Sequence, residues 1–134
     1  MDNRFKHKFP IYPILGNHEK FPCDQFTFNE TELVEGLANV YKDYLDDQAY
    51  ESFRNYGYYT MKHLDTNIRI VALNCFLCDL MNFNFLSSHR LAQMQIKWLE
   101  NVLREAEKAG EFVYILDHFP INSNFETTEC GLRL

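Results

Sequence analysis

Between residues 88 and 116 the sequence reads as a long amphipathic helix followed by a short apolar strand, and that pair restricts the fold more than any other stretch. Leu91, Met94, Trp98, Leu99, Val102, Leu103 and Ala106 recur at three- and four-residue steps and so share one helical face. Ser88 stands where an N-cap belongs, and Gly110 where the helix must stop. Phe112-Val113-Tyr114-Ile115-Leu116 then reads as a buried strand. Another β-rich run, Ile68 to Leu73, precedes the helix, so the order strand, helix, strand over residues 68–116 predicts a crossover unit with both strands parallel in one sheet.

The remaining elements fit around this unit. Tyr58 to Met61 is a further β-rich run, separated from Ile68 by a turn at Asp65-Thr66-Asn67, which predicts an antiparallel hairpin. Upstream, Asn29 is a helix N-cap with Glu32 at the capping-box position, and Leu33, Leu37, Val40, Tyr41, Tyr44 and Leu45 form an apolar stripe. A second short helix runs from Asp46-Asp47 through Phe53 and closes at Gly57. Residues 75–87, with Phe76, Phe83 and Phe85, are too apolar for an ordinary surface loop and are expected to pack on the domain. Residues 1–10 read as a connector.

One domain is expected from 134 residues, and an apolar content of 46% with 12 Phe, 8 Tyr and 1 Trp describes a core former. The net charge of −6 excludes a nucleic-acid partner held by charge, because phosphate backbones select for excess Lys and Arg. No stretch has the roughly 18 to 20 apolar residues that span a bilayer, and no signal-type core follows Met1. Oligomeric state leaves no mark. Cys23, Cys75, Cys78 and Cys130 allow three fully paired connectivities. The Cys75–Cys78 spacing suits zinc, but no second such pair accompanies it.

Two polar clusters carry chemistry. Gly16-Asn17-His18-Glu19 follows the apolar run Ile11 to Leu15, read as a buried strand, and Asp117-His118 follows Phe112 to Leu116. Each alone suits a turn or a strand-end histidine bonded to backbone. Together, after parallel strands, they would meet at one sheet edge although 101 positions separate Asn17 from His118. Amide oxygen and imidazole nitrogen are ligands for borderline metals, an imidazole at position 18 can move a proton near neutral pH, and Glu19 can orient it. His7, His63 and His89 match no pattern and are read as surface or capping residues.

Gly16-Asn17-His18-Glu19 resembles the third motif of the calcineurin-like metallophosphoesterases, and its flank Phe9-Pro10-Ile11-Tyr12-Pro13-Ile14-Leu15 is similar to the acid sphingomyelinase branch. Asn55 to Thr60 resembles the family's glycine-aromatic strand entry, Arg69 to Asn74 its next strand, Gln95-Ile96-Lys97-Trp98-Leu99 its Gln-x-x-Trp-Leu helix, and Val113 to Pro120 the strand leading to its metal-binding His-x-Pro. Asp117 stands where glycine is usual and Ile121 where a second proline is usual.

The resemblance implies an α/β fold, part of the four-layer α/β/β/α sandwich with a mixed sheet. It makes residues 1–134 the central fragment of a catalytic domain, because the family's Asp-x-His, Gly-Asp and Gly-His-x-His motifs are absent from the sequence. It further implies hydrolysis of sphingomyelin to ceramide and phosphocholine by metal-assisted water attack, with two zinc ions in the full-length parent and at most one partial site here. Asn17 and His118 would ligate one zinc, His18 would face the scissile phosphate, and Glu19 would hold His18. Cys78 and Cys130 would form a disulfide beside the site, Asn29 would be a glycosylation sequon, and the protein would be secreted or lysosomal. A truncated or residual domain without catalysis, or another phosphoesterase of the same family, is the alternative.

Overall fold

The computed structural model describes residues 9–27, 31–84, 90–120 and 124. Along them run helix α1 (Thr31–Tyr41), helix α2 (Asp47–Tyr56), strands β1 (Tyr59–Lys62) and β2 (Ile68–Ala72), helix α3 (Arg90–Ala109) and strand β3 (Phe112–Leu116). The sheet order is β1-β2-β3. β1 pairs antiparallel to β2, with Tyr59 opposite Ala72 and Lys62 opposite Arg69. β2 pairs parallel to β3, with Ile68 opposite Phe112 and Ala72 opposite Leu116. The hairpin and the parallel crossover expected from the sequence are both present, giving a mixed α/β fold of the kind a part of the metallophosphoesterase sandwich requires.

Local chemistry explains where the helices stop. Asp46 accepts a hydrogen bond from Ala49 N at 2.7 Å and opens α2, and Gly57, at φ 74°, closes it with its N–H on Phe53 O. Gly110, at φ 67°, ends α3. The caps expected at Asn29 and Ser88 lie outside the described residues.

Two apolar layers hold the sheet. On one face α3 sets Leu99 and Val102 against Val71 and Leu73, with Trp98, Val113 and Ile115 completing the contact. On the other, Tyr59 and Ala72 join a larger cluster with Val34, Ala38, Ala49, Phe53 and Phe76. Each fully buried large side chain contributes about 1.5–3 kcal/mol by leaving water.

Several expected faces are shifted. In α1 the buried positions are Val34 and Ala38, Leu33, Leu37 and Tyr41 are half-buried, and Val40 is 55% exposed. The small side chains let α1 approach α2 closely, turning the helix about one residue from the expected stripe, and the chain tightens into a 3-10 turn at Lys42–Tyr44 before Leu45. In α3 Ala92 and Gln95 are buried, while Met94 and Leu103 are exposed. Gln95 belongs inside because its Oε1 accepts from Asn74 N at 2.9 Å and its Nε2 donates to Asn74 O at 3.3 Å. β3 is not buried on both faces: Phe112 is 69% and Tyr114 60% exposed, because among the described residues nothing covers that side of the sheet edge.

Residues 11–14 form no strand. Only Leu15 pairs, in a single parallel bridge to Asn74, since Pro10 and Pro13 have no amide hydrogen to give a ladder. The aromatic segment divides: Cys75 to Asp79 is buried, packing as expected, whereas Phe83 is 66% exposed.

Candidate functional site

Where β2 and β3 finish, three backbone segments run side by side. Leu73 N donates to Leu116 O at 2.9 Å, and one residue on, Asn74 forms the parallel bridge to Leu15. Asn74 is itself locked, its Nδ2 donating to Tyr56 O at 3.0 Å and its Oδ1 accepting from Phe76 N at 3.1 Å. The residues after Leu15 and after Leu116 therefore leave the sheet together.

Asn17 and His118 meet there. Asn17 Oδ1 lies 2.9 Å from His118 Nε2. The other end of the amide is committed, since Asn17 Nδ2 donates to Asp24 Oδ1 at 2.6 Å, so it is the carbonyl oxygen that faces the imidazole. Gly16 makes the approach possible. A Cβ at that position would stand 2.8 Å from Glu19 Oε2 and 3.2 Å from His118 Cε1, so room, not turn geometry, is what the glycine provides.

Glu19 acts on the backbone. Its Oε2 accepts from Gly16 N at 2.7 Å and Glu19 N donates to Gly16 O at 3.3 Å, closing the turn. Both of these bonds go to Gly16 and neither to His18. His18 is exposed, and its Nδ1 lies 3.4 Å from Cys23 Sγ. Asp117 Oδ1 accepts from His118 N at 2.7 Å, holding the start of the loop.

Cysteine chemistry divides cleanly. Burial first, then the Asp117, Asp79 and Glu19 carboxylates, push the Cys75 thiol up, and its Sγ donates to Leu15 O at 3.4 Å. Cys78 is disulfide-bonded, and Cys23 and Cys75 are free thiols. The Cys75–Cys78 spacing does not bring two free thiols together, since Cys75 is a free thiol and Cys78 is disulfide-bonded. Cys130 and Asn29 lie outside the described residues, as do His7 and His89. His63 accepts or donates at Nδ1 to the Tyr12 hydroxyl, 2.6 Å away.

Two acids were not singled out by sequence reasoning. Asp24 holds Asn17, and Asp79, fully buried, lies beneath it with Oδ1 accepting from Met81 N at 2.8 Å. Burial, opposed by that amide and reinforced by the Asp24 charge, pushes the Asp79 carboxyl up to about 6. The available signal was a lone carboxylate inside the apolar run Cys75 to Met81.

Could this arrangement hold a metal? Two ligands at the usual 2.0–2.2 Å on one tetrahedral cation stand about 3.4 Å apart, so Asn17 Oδ1 and His118 Nε2, in hydrogen-bond contact at 2.9 Å, need separate only slightly to admit one. The donor types fit. Among the described residues no group of three or more His, Cys, Asp or Glu lies together, so the site offers the two donors Asn17 and His118 and no larger cluster.

A sequence profile of the calcineurin-like phosphoesterases matches residues 1–132. The chain belongs to the calcineurin-like phosphoesterase family. Among its relatives, the cyclic GMP-AMP phosphodiesterase of Homo sapiens is 34% identical over 112 residues, which is 83% of this chain and 24% of that protein. Sphingomyelin phosphodiesterase A of Dictyostelium discoideum is 32% identical over 123 residues, 90% of this chain and 21% of the relative. Sphingomyelin phosphodiesterase of Homo sapiens is 29% identical over 124 residues, 87% and 20% respectively. The phosphoesterase chain thus spans about a quarter or less of the length of these relatives. Among the described residues no helix is long and apolar enough to cross a membrane.

Proposed function

We propose that residues 1–134 are the central part of a metallophosphoesterase catalytic domain, and that the protein built on this domain hydrolyses sphingomyelin to ceramide and phosphocholine. The observation that carries the proposal is the 2.9 Å contact between Asn17 Oδ1 and His118 Nε2 across 101 positions of sequence. Both are uncharged donors suited to one zinc ion, the second zinc of the pair being held by residues the chain does not supply. Bound metal would polarise a phosphate oxygen and lower the pKa of a bound water.

The chain's own residues then have distinct tasks. Asn17 and His118 hold the shared cation at the sheet edge. His18, exposed beside them, faces the phosphate, where its imidazole neutralises charge on the oxygens or gives a proton to the departing alcohol. Glu19 keeps the loop folded by holding Gly16 N, which fixes where His18 starts. With two donors brought together among the described residues, the 134-residue chain alone is expected to take up metal weakly and turn nothing over. A disulfide from Cys78 to Cys130, glycosylation at Asn29 and a secreted or lysosomal location complete the proposal, in keeping with an oxidising compartment.

A second reading has its own support. The 34% identity to a cyclic GMP-AMP phosphodiesterase exceeds the 32% and 29% to the two sphingomyelin phosphodiesterases, so a nucleotide phosphodiester is the competing substrate. The test uses protein expressed from the whole reading frame, assayed on sphingomyelin vesicles and on cyclic GMP-AMP. We expect sphingomyelin turnover to fall by at least about 100-fold on Asn17→Ala, His18→Ala or His118→Ala. Turnover of cyclic GMP-AMP alone would replace the substrate, and full activity in all three variants would remove the site.

A further inference from the structure

An amide has two ends of nearly equal size and opposite character. If Asn17 were turned over, its NH2 group would face His118 and would repel any cation there. Something has to choose between the two orientations.

We infer that Asp24 is the positioning residue for Asn17, its carboxylate capturing Nδ2 so that Oδ1 is the atom presented to His118 and to a shared cation. The inference rests on the proposed reading of Asn17 and His118 as ligands of one metal. The bond from Asn17 Nδ2 to Asp24 Oδ1 is short, 2.6 Å. Backbone ties the same two residues a second time, Asp24 N donating to Asn17 O at 3.0 Å. Asp24 adopts φ 65°, a left-handed conformation that Asp and Asn tolerate better than most residues.

Asp24 is supported from beneath. Among the described residues Asp79 Oδ2 is buried without a hydrogen-bond partner, and the Asp24 carboxyl lies near enough for its charge to act on Asp79. The loop carrying Asp79 is fastened to the loop carrying Asp24, with Gln25 Nε2 donating to Met81 O at 2.6 Å and Asn82 Nδ2 to Phe26 O at 3.2 Å. The sequence Asp79, Asp24, Asn17, His118 is thus a continuous line from the core to the site. No local periodicity links these positions, which is why the pattern is invisible before folding.

The test uses the 134-residue chain and two readouts, exchange of the Asn17 side-chain amide protons by NMR and zinc affinity by titration. Asp24→Gly removes the carboxylate without straining the left-handed backbone. Asp24→Asn keeps an acceptor for Asn17 and adds a donor for Asp79. Slow amide exchange is expected in the parent chain and in Asp24→Asn, with fast exchange in Asp24→Gly. Zinc affinity should fall by about tenfold or more in Asp24→Gly, recover largely in Asp24→Asn, and vanish in Asn17→Ala. Fast exchange in the parent chain, or unchanged zinc affinity in Asp24→Gly, overturns the positioning role. If Asn17→Ala binds zinc as the parent does, the ligand assignment fails instead, and the positioning inference with it.

Discussion

Asp79 keeps a carboxyl out of water with Oδ1 held by Met81 N and, among the described residues, no partner for Oδ2, while the Asp24 charge acts on it and the Cys75 thiol lies near enough to feel its own. Its pKa is raised from 3.8 to about 6, so the folded state prefers the protonated acid. The stabilisation is complete below the unfolded pKa and is lost as pH rises from 3.8 towards about 6, after which it stays lost. The swing is on the order of 1–3 kcal/mol. Asp79→Asn should therefore raise the thermal midpoint at neutral pH and flatten its decline across this window. An unchanged pH slope would show that Asp79 is not the group responsible. At this scale the meeting of Asn17 and His118 was legible because both follow apolar runs that reach the sheet, although only the run before His118 is a strand. Asp24 and Asp79 were not, since nothing in their spacing predicts that loops seven and 62 residues beyond Asn17 fold back onto it.

Among the elements, those with local stop signals were readable in advance. Asp46 and Gly57 bound α2 and Gly110 ends α3 through contacts made within a few residues. Faces were harder, because which side of a helix or strand is buried depends on what packs there. Val40, Met94, Phe112 and Tyr114 fit an apolar pattern and still meet solvent, and Gln95 breaks the pattern yet is buried by Asn74. The run before Gly16 has the composition of a strand, but its prolines leave one bridge. Gly57 tests how far α2 supports the site. Its φ of 74° disfavours any side chain, and a Cβ would lie 2.7 Å from both Asn74 Nδ2 and Leu15 Cδ1. Gly57→Ala is expected to cost at least about 1–2 kcal/mol in urea unfolding, and to broaden the NMR signals of the Asn17 loop through Asn74 and Leu15. A variant as stable as the parent would show that this junction carries no strain.

Taken as a whole, the molecule converts strand order into a site. A parallel pair, β2 and β3, ends on the same side as the single bridge at Leu15, so residues far apart in sequence emerge together, and this much follows from the order of elements. The aromatic face of β3 is exposed, and the chain spans about a quarter or less of the length of its relatives. The central claim is that Asn17 and His118 serve one cation. It is tested most directly by the zinc content of protein expressed from the whole reading frame, measured by mass spectrometry on the parent and on Asn17→Ala and His118→Ala. About two zinc ions per chain should fall to about one in both variants, and two retained in either variant would contradict the account.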